Sequence, residues 1–210
     1  LHLEIDLACA AVCADGHAAP GGCAVREEAA IARAPRPSER RGRLRVGLLG
    51  AGRIARRFHL PILASMPGVD LVAVAETMAD ARAACLTLAP GTASFHADFA
   101  ELLDAHPLDA VVICLPPALH SRAAVAGFAR GLHVYVEKPL AISAGDGRGM
   151  LDAWRRAGTV GMVGFNHRFH PLALALKDEV ARGRVGDVTL VRTAFAGAQR
   201  ALPAWKRARE

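Results

Sequence analysis

The stretch LRVGLLGAGRIA, residues 44–55, decides the fold of this chain. Its first seven residues form a largely apolar run that is typical of a buried strand. The run ends at Gly50, and a second glycine, Gly52, follows two residues later. The next segment, RIARRFHLPILAS at 53–65, has an apolar spacing that predicts a helix bent or interrupted near Pro61. A strand that passes through a glycine turn into a helix indicates the first unit of an α/β fold.

The same alternation continues along the chain. Further strands are expected at 69–76, 109–117, 132–137 and 159–165, and further helices at 79–89, 98–106, 118–131 and 144–158. The runs around Val111 and Val134 are continuously apolar, which is typical of parallel strands covered on both faces. The predicted fold class is therefore α/β, with a doubly wound parallel sheet. Such sheets bind ligands beyond the carboxyl ends of their strands.

The two ends of the chain differ from this body. Residues 1–43 are predicted to be a poorly ordered leader or linker, because 14–43 is rich in Ala, Gly, Pro and Arg. The leader has no initiator Met and no basic region before its apolar run, so it does not resemble a signal peptide. Residues 166–210 are predicted to begin an α+β domain that stays incomplete, with a helix and turn over 171–187 and a strand over 187–197.

Composition argues against several classes of function. The formal net charge is +6. Residues 1–25 contribute −3, residues 26–45 contribute +4 and residues 200–210 contribute +3, so the body at 46–199 carries only +2. Aromatic residues make up only 5% of the chain, so no nucleic-acid-binding surface is predicted. No uncharged apolar run reaches about 18 residues, and a membrane span is therefore not expected.

The cysteines indicate a reducing environment rather than a disulfide framework. There are five, an odd number, and Cys85 and Cys114 lie in apolar segments. Reduced thiols in a cytoplasmic protein are the expectation. No metal site is predicted, because the possible ligands near the start of the chain contain no CxxC pair. These ligands are Cys9, Cys13, His17 and Cys23.

The sequence GAGRIA matches the GxGxxA fingerprint of dinucleotide-binding loops. Gly50 permits the tight turn, Gly52 lets the backbone approach a pyrophosphate, and Ala55 lets the helix pack closely on the strand. The amides of Arg53 and Ile54 open the helix, where the positive end of the dipole attracts phosphate. The alternative for the two glycines is an ordinary strand-to-helix turn.

A carboxylate occupies the position expected to select the cofactor. Glu76 ends the second predicted strand, 24 residues after Gly52, where it would accept hydrogen bonds from an adenosine ribose. Because it would repel a 2′-phosphate, NAD is favoured over NADP. Arg53 and Arg82 could compensate for that repulsion, so NADP stays possible. The alternative for Glu76 is a solvated strand end.

The strand at 132–137 ends in a charged pair. Glu137 and Lys138 directly follow the apolar run HVYV. Burying such charges without partners is costly, so they either form a solvated pair at the strand end or meet a ligand beyond it.

Four segments together resemble the Gfo/Idh/MocA family of NAD(P)-dependent oxidoreductases. They are GLLGAGRIA at 47–55, VVICLPPALH at 111–120, VEKPLA at 136–141 and VGFNHRFHP at 163–171. The resemblance implies a Rossmann domain over 44–165 and the start of a C-terminal substrate and oligomerisation domain after it. It also implies hydride transfer between a nicotinamide cofactor and a sugar, polyol or related hydroxy compound, with homo-oligomers for a full-length relative.

The resemblance also implies roles for particular residues. Lys138 is the catalytic lysine, placed at the nicotinamide to orient or protonate the reacting oxygen. A cationic donor beside that oxygen stabilises a developing alkoxide. Glu137 contacts the cofactor or holds Lys138, and the peptide bond before Pro139 is often cis in similar proteins. Leu115 and Pro116 belong to the segment near the cofactor ribose and nicotinamide.

Other side chains keep two interpretations. His120 is a candidate cofactor ligand in the same segment, or a packed and hydrogen-bonded histidine. Asn166 and Arg168 are candidate substrate ligands, or contacts between domains. His59 and His170 are expected to be structural.

The resemblance covers roughly residues 44–197. The family's second catalytic pair, an aspartate and a histidine, is expected beyond residue 210, so the chain is interpreted as a fragment whose own turnover is uncertain. Two alternatives stay open: a non-catalytic nucleotide-binding module, or an NAD-dependent glycosidase of the same family.

Overall fold

A computed structural model describes residues 42–89 and 91–192. The leader predicted at 1–43 therefore lies almost wholly outside the described residues, as do the possible metal ligands near the start of the chain. Within the described ranges, no helix is both long and apolar enough to cross a membrane.

The chain divides into two compact units between Gly164 and Phe165. This division lies one residue from the domain boundary expected from the sequence.

The first unit contains a six-stranded sheet in which every pairing is parallel. Its strands are β1 Leu44–Leu49, β2 Val69–Ala75, β3 Ser94–His96, β4 Ala110–Ile113, β5 His133–Val136 and β6 Gly161–Val163. Their spatial order is β3-β2-β1-β4-β5-β6. Because the order reverses between β1 and β4, those two strands form the switch point at which this class of sheet binds its ligands. The predicted α/β fold class is confirmed.

The helices alternate with the strands along the chain. They are α1 Leu60–Ser65, α2 Ala79–Leu86, α3 Phe99–Ala105, α4 Pro117–Ala129, α5 Ala144–Ala157 and, in the second unit, α6 Pro171–Ala181. Local signals explain several helix ends. Asp98 and Ser143 cap the first turns of α3 and α5 through side-chain oxygens, and Gly158 ends α5 with a left-handed φ of 63°.

The core consists of two clusters, one on each face of the sheet. Leu48 and Leu49 are neighbours in β1, both fully buried, and belong to different clusters, since successive strand side chains point to opposite faces. The Leu48 cluster includes side chains from α1 and α2, whereas the Leu49 cluster includes side chains from α3, α4 and α5. This double covering explains why the central strands are apolar without alternation.

The helix expected at 53–65 begins with a different geometry from the one predicted. Residues Ala55–His59 form a π-helical turn, in which the Leu60 N–H donates to the Ala55 carbonyl five residues back. The interruption therefore lies before Pro61, because Pro61 occupies the first turn of α1, where its missing N–H leaves no intrahelical bond unmade. The wider turn ends at His59.

Two expectations for the smaller elements change. The segment around Ser94 and Phe95, which the sequence left unassigned, is the edge strand β3. The strand expected over 187–197 is absent from its described part, 187–192. A strand requires hydrogen bonds to a neighbour, and these residues pair with no described strand, so the alternating pattern alone does not produce one.

The two-sided core predicts the effect of truncating β1. We expect Leu48→Ala to lower the free energy of unfolding by about 2–5 kcal/mol, because it removes a fully buried side chain and leaves a cavity. Leu86→Ala is the matched control, since Leu86 is 63% exposed in α2 and its truncation should change stability by less than about 0.5 kcal/mol. Urea unfolding followed by circular dichroism measures both. Equal effects would contradict the assignment of Leu48 to the core.

Candidate active site

The carboxyl ends of the strands are held at one level by backbone hydrogen bonds. For every strand except β3, the residue after the strand donates its N–H to the carbonyl of the last residue of a neighbouring strand. The pairs are Gly50 to Ala75, Glu76 to His96, Cys114 to Leu49, Glu137 to Ile113 and Gly164 to Val136. The predicted site residues that follow β1, β2, β4 and β5 are therefore brought to the same edge of the sheet. They differ widely in sequence position but share one rim.

Gly50 is required by the protein itself. Its φ is +88°, and a Cβ placed on it would lie 2.8 Å from the Cys114 carbonyl carbon and 2.9 Å from the Leu115 nitrogen. Both the conformation and the space thus exclude a side chain. The predicted tight turn is present, and it brings the glycine loop against the loop that follows β4.

Gly52 has no such internal reason to be glycine. Its φ lies outside the left-handed region, and a Cβ placed on it would meet nothing within 4 Å. The residue is exposed and accepts a hydrogen bond from Arg56 N–H as the helix begins. An open space at this position fits a ligand that approaches the backbone closely, which is the role predicted for the second fingerprint glycine.

The start of this helix offers backbone donors to the same space. Arg53 and Ile54 form its first turn, where N–H groups have no intrahelical acceptors. Both residues are exposed, whereas Ala55 is fully buried and packs the helix on the sheet. The fingerprint residues thus divide into an inner packing group and an outer group that faces the ligand side.

The Glu76 carboxylate lies beside the glycine loop. Its Oε2 accepts a hydrogen bond of 2.9 Å from the Ala51 N–H, and its Oε1 accepts one of 3.0 Å from the Met78 N–H. Each carboxylate oxygen can accept more than one hydrogen bond, so capacity is left for ribose hydroxyls. Glu76 is half-buried and held in place, which differs from the alternative of a freely solvated strand end.

Arg82 is placed differently from the expectation that it could accommodate a 2′-phosphate. Its Nη1 donates to the backbone carbonyls of Glu76 at 2.6 Å and Thr77 at 3.0 Å. The guanidinium therefore closes the turn after β2. Arg53 is left as the exposed cation of the two.

The segment after β4 is joined to the segment after β5 by His120. Its ring is 1% exposed, with Nδ1 2.8 Å from the Pro139 carbonyl oxygen and Nε2 2.9 Å from the Leu115 carbonyl oxygen. Carbonyls only accept, so at least one ring N–H donates to them. The buried ring contacts these loops through both nitrogens, which agrees with the packed alternative rather than with the direct cofactor contact predicted for it. Leu115 is half-buried and Pro116 exposed at the rim.

Glu137 is the centre of a small polar cluster at the end of β5. Its Oε1 lies 2.8 Å from His59 Nε2, and its Oε2 accepts a hydrogen bond of 3.1 Å from the backbone N–H of Lys138. The ring of Tyr135 meets that of His59 edge-on, with centroids 5.4 Å apart. The carboxylate is therefore held by the Lys138 backbone and by a histidine 78 residues away in sequence.

These contacts shift the acidities within the cluster. The His59 hydrogen bond is the main cause that lowers the pKa of Glu137. Desolvation opposes it, and the Lys138 backbone bond and the charges of His59 and Lys138 add to the lowering. Burial raises the pKa of Tyr135 to about 12, with the Glu137 charge adding to it. Burial also raises the pKa of the Cys114 thiol far above its ordinary value. The cluster thus contains one anion, Glu137, with Tyr135 and Cys114 neutral beside it.

Lys138 itself is exposed at the rim, and the Lys138–Pro139 peptide bond is cis. Among the described residues, none forms an ion pair with its ammonium group. Glu137 accepts a hydrogen bond from the backbone N–H of Lys138, and the Lys138 charge helps to lower the pKa of Glu137, although the two side chains form no contact ion pair.

The remaining candidates lie in the second unit. Asn166 and Arg168 belong to the 3-10 helix Asn166–Phe169, and both are exposed. Their assignment to substrate stays a prediction. His170 caps α6 by accepting the Leu172 N–H on its Nδ1, which is the structural role expected for it.

His59 is the site residue that sequence reasoning did not find. It was expected to be structural, yet it reaches the Glu137 carboxylate. The only sequence signal was Pro61 two residues later, which indicated irregular helix geometry without showing where His59 would point. The contact depends on the π-helical turn that ends at His59 and on the position of β5, which Glu137 follows.

The sequence profile of the Gfo/Idh/MocA oxidoreductase family, described as an NAD-binding Rossmann fold, matches residues 44–165. This match covers more than half of the chain. The chain belongs to the Gfo/Idh/MocA family. The resemblance inferred from the four sequence segments is thereby confirmed, and residues 44–165 are the family's NAD-binding Rossmann domain.

Curated relatives support this Gfo/Idh/MocA assignment over part of their length. A 4-carboxy-2-hydroxymuconate-6-semialdehyde dehydrogenase of Sphingobium is 32% identical over 142 residues, covering 68% of this chain and 44% of the relative. A D-glucoside 3-dehydrogenase of Escherichia coli is 32% identical over 162 residues, covering 77% of this chain and 46% of the relative. The chain thus spans less than half the length of the relatives it matches.

A solved structure of the same family agrees with the fold. The WlbA dehydrogenase of Bordetella pertussis, solved in complex with NADH and UDP-GlcNAcA, superposes with a TM-score of 0.63 at 30% identity. The superposition covers 69% of this chain and 43% of that one.

Alanine substitutions at the two fingerprint glycines should differ in effect: one should lower stability and the other should weaken NAD binding. We expect Gly50→Ala to destabilise the fold by at least about 1–3 kcal/mol, because of its left-handed φ and the Cys114 backbone. Gly52→Ala should change stability by less than about 0.5 kcal/mol, because its Cβ enters open space. It should nevertheless weaken NAD binding by about tenfold or more, equal to about 1.4 kcal/mol.

Thermal unfolding and calorimetric titration with NAD separate the two effects. Unchanged NAD affinity in a folded Gly52→Ala variant would contradict the placement of the cofactor beside this loop.

The lowered pKa of Glu137 predicts a dependence of stability on pH. At a pH above 4.5, the ordinary pKa of a glutamate, the ionised Glu137 side chain stabilises the folded state. This contribution is lost as the pH falls through the lowered pKa of the folded state. We expect Glu137→Gln to lower the free energy of unfolding at about pH 7 by about 1–3 kcal/mol. The difference from wild type should shrink below about pH 4.5, where the carboxylate protonates.

Urea unfolding across this pH range measures the difference. Asp152→Asn is the control, since Asp152 lies exposed on α5 and its substitution should have little effect at any pH. A Glu137→Gln difference that stays constant into the acid range would contradict the linkage.

Proposed function

We propose that this chain is the cofactor-binding half of an NAD-dependent oxidoreductase that transfers a hydride between nicotinamide and a sugar, polyol or related hydroxy compound. One observation carries the proposal. The exposed Lys138 amine, without an ion pair among the described residues, lies on the same sheet rim as the open space at Gly52. The glycine loop thus lies at the switch point of the sheet, and the proposed proton donor follows β5, the strand next to it.

The residues of the chain supply the binding and acid-base part of this chemistry. Bound nicotinamide supplies the hydride acceptor or donor. The Gly52 backbone and the amides of Arg53 and Ile54 would receive the pyrophosphate, since all three positions are exposed at the start of a helix. Lys138 would donate a hydrogen bond or a proton to the substrate oxygen, which stabilises the negative charge that develops there.

We infer a preference for NAD over NADP from two contacts. The Glu76 carboxylate is held beside the glycine loop by the Ala51 and Met78 amides and cannot easily turn away from a 2′-phosphate. Arg82, which was considered as a compensating cation, is bonded to backbone carbonyls. NADP would therefore depend on exposed Arg53, and we propose that it binds more weakly.

The assembly and location of the whole protein are also proposals. We propose a homo-oligomeric protein in the cytoplasm, as first inferred from the sequence. Cys85 and Cys114 are both free thiols, which suits a reducing compartment. Sedimentation of the whole protein measures its assembly.

Titration with both dinucleotides tests the cofactor assignment. We expect the wild-type chain to bind NAD at least about tenfold more tightly than NADP, because a fixed carboxylate opposes a phosphate. Glu76→Ala should reduce that ratio, whereas Asp80→Ala, an exposed acid in the first turn of α2, should leave it unchanged. Absence of binding to either dinucleotide would overturn the proposal.

Turnover tests the role of Lys138. In the whole protein, we expect Lys138→Ala to retain NAD affinity within about threefold but to lower kcat by about 100-fold or more, since general acid catalysis contributes on that scale. Lys177→Ala, on the exposed face of α6, is the matched control. A whole protein that binds NAD but oxidises no sugar or polyol would favour a non-catalytic nucleotide-binding module. Glycoside cleavage without net redox change would favour the glycosidase alternative.

A further inference from the structure

The hydrogen bond between His59 and Glu137 connects two parts of the site that are distant in sequence. His59 ends the π-helical turn that follows the glycine loop, and Glu137 follows β5. Their side chains are 18% and 19% exposed, so the contact is largely shielded from water. A shielded bond to a carboxylate is stronger and more directional than one at the surface.

The chemistry of the pair determines the direction of this bond. An ionised carboxylate only accepts hydrogen bonds, so the His59 Nε2 carries the proton and donates it to Glu137 Oε1. The other oxygen, Oε2, accepts from the Lys138 backbone N–H. Each carboxylate oxygen thus has a donor within the chain, and the two bonds fix the orientation of the group.

The fixed carboxylate forms no contact ion pair with the amine of the adjacent residue, although the two charges still act on each other. Glu137 and Lys138 are neighbours in sequence, and a carboxylate free to rotate would pair with the ammonium group. No such pair is formed among the described residues. A paired lysine would hold its proton more tightly and would offer it less readily to a substrate oxygen.

The surroundings of His59 are shaped to keep its ring in place. Tyr135 meets the ring edge-on, and Gly164 leaves the room that the Tyr135 hydroxyl occupies. A Cβ at Gly164 would lie 2.5 Å from that hydroxyl and 3.4 Å from the Glu137 carboxyl carbon. The ionisable groups around the pair are Tyr135, Cys114 and Lys138, of which only Lys138 carries charge.

We propose that His59 is a positioning residue for Lys138: by holding Glu137 Oε1, it prevents the carboxylate from pairing with the Lys138 ammonium and keeps that amine free for the substrate oxygen. The inference rests on the proposed function for the use of the amine, but the geometry it asserts can be measured without cofactor or substrate.

Amine acylation of the intact chain tests this geometry. The chain is treated with N-hydroxysuccinimidyl acetate at constant pH, and the rate at Lys138 is divided by the rate at exposed Lys177 by peptide mass spectrometry. His59→Phe keeps the ring against Tyr135 but removes the donor. We expect it to lower the Lys138 to Lys177 ratio by about tenfold, the change that one newly formed ion pair produces. His59→Gln, which retains an N–H donor at similar reach, should keep the ratio within about twofold of wild type.

A double-mutant cycle separates positioning from simple loss of structure. If His59 acts through the carboxylate, the His59→Phe effect must disappear in a Glu137→Gln background, where no anion can pair with Lys138. An unchanged ratio in His59→Phe would overturn the proposal, and so would an equal decrease with and without the Glu137 carboxylate.

Two further measurements keep the outcomes distinct. Near-ultraviolet circular dichroism checks that each variant is folded. If His59→Phe does not fold, His59→Gln supplies the test. A tenfold fall of the Lys138 to Lys177 ratio in folded His59→Gln would contradict the role of the donor. Failure of wild-type NAD binding would defeat the proposed function while leaving the acylation ratio, which is read without NAD, to decide the role of His59.

Discussion

The approach of the Gly50 backbone to the Cys114 and Leu115 backbone is the constraint on which the site depends. It brings the end of β1 against the end of β4 at the point where the order of the sheet reverses. Only a residue without Cβ and with positive φ can make that approach. Once it is made, the glycine loop and the segment after β4 lie side by side at the carboxyl edge of the sheet.

Two carboxylates connect separate segments at this edge of the sheet by accepting hydrogen bonds. Glu76 joins the turn after β2 to the glycine loop, and Glu137 joins the helix that begins at this loop to the segment after β5. His120 contacts the segments after β4 and β5 through its two ring nitrogens. Each of these groups is satisfied within the protein. Lys138 is different, because its exposed amine forms no contact ion pair with a described residue, and this contrast supports the proposal that it meets a ligand.

Much of this could be predicted because the relevant signals are local. The glycine spacing, the apolar strands and the charges after β5 each lie within a few residues. The four family segments all indicate the same family. His59 shows where local signals end. Its contact depends on a π-helical turn and on a partner 78 residues away, and neither has a pattern in the sequence. His120 shows the same limit, since the sequence left open whether it would bind or pack, and its burial and its two backbone contacts are visible only in three dimensions.

The sequence by itself determined the α/β class, the parallel sheet, the family and the positions of Gly50, Gly52, Glu76 and Lys138 at strand ends. These follow from periodicity and from residue chemistry that acts over one or two turns of chain. The tertiary structure alone decided how the charged groups are used: Glu137 is bonded to His59 rather than to the Lys138 amine, and Arg82 to carbonyls rather than being free for a phosphate. The physical reason is that a hydrogen-bond partner is selected by distance and direction in space, and parallel strands bring together residues whose sequence separation carries no record of the contact.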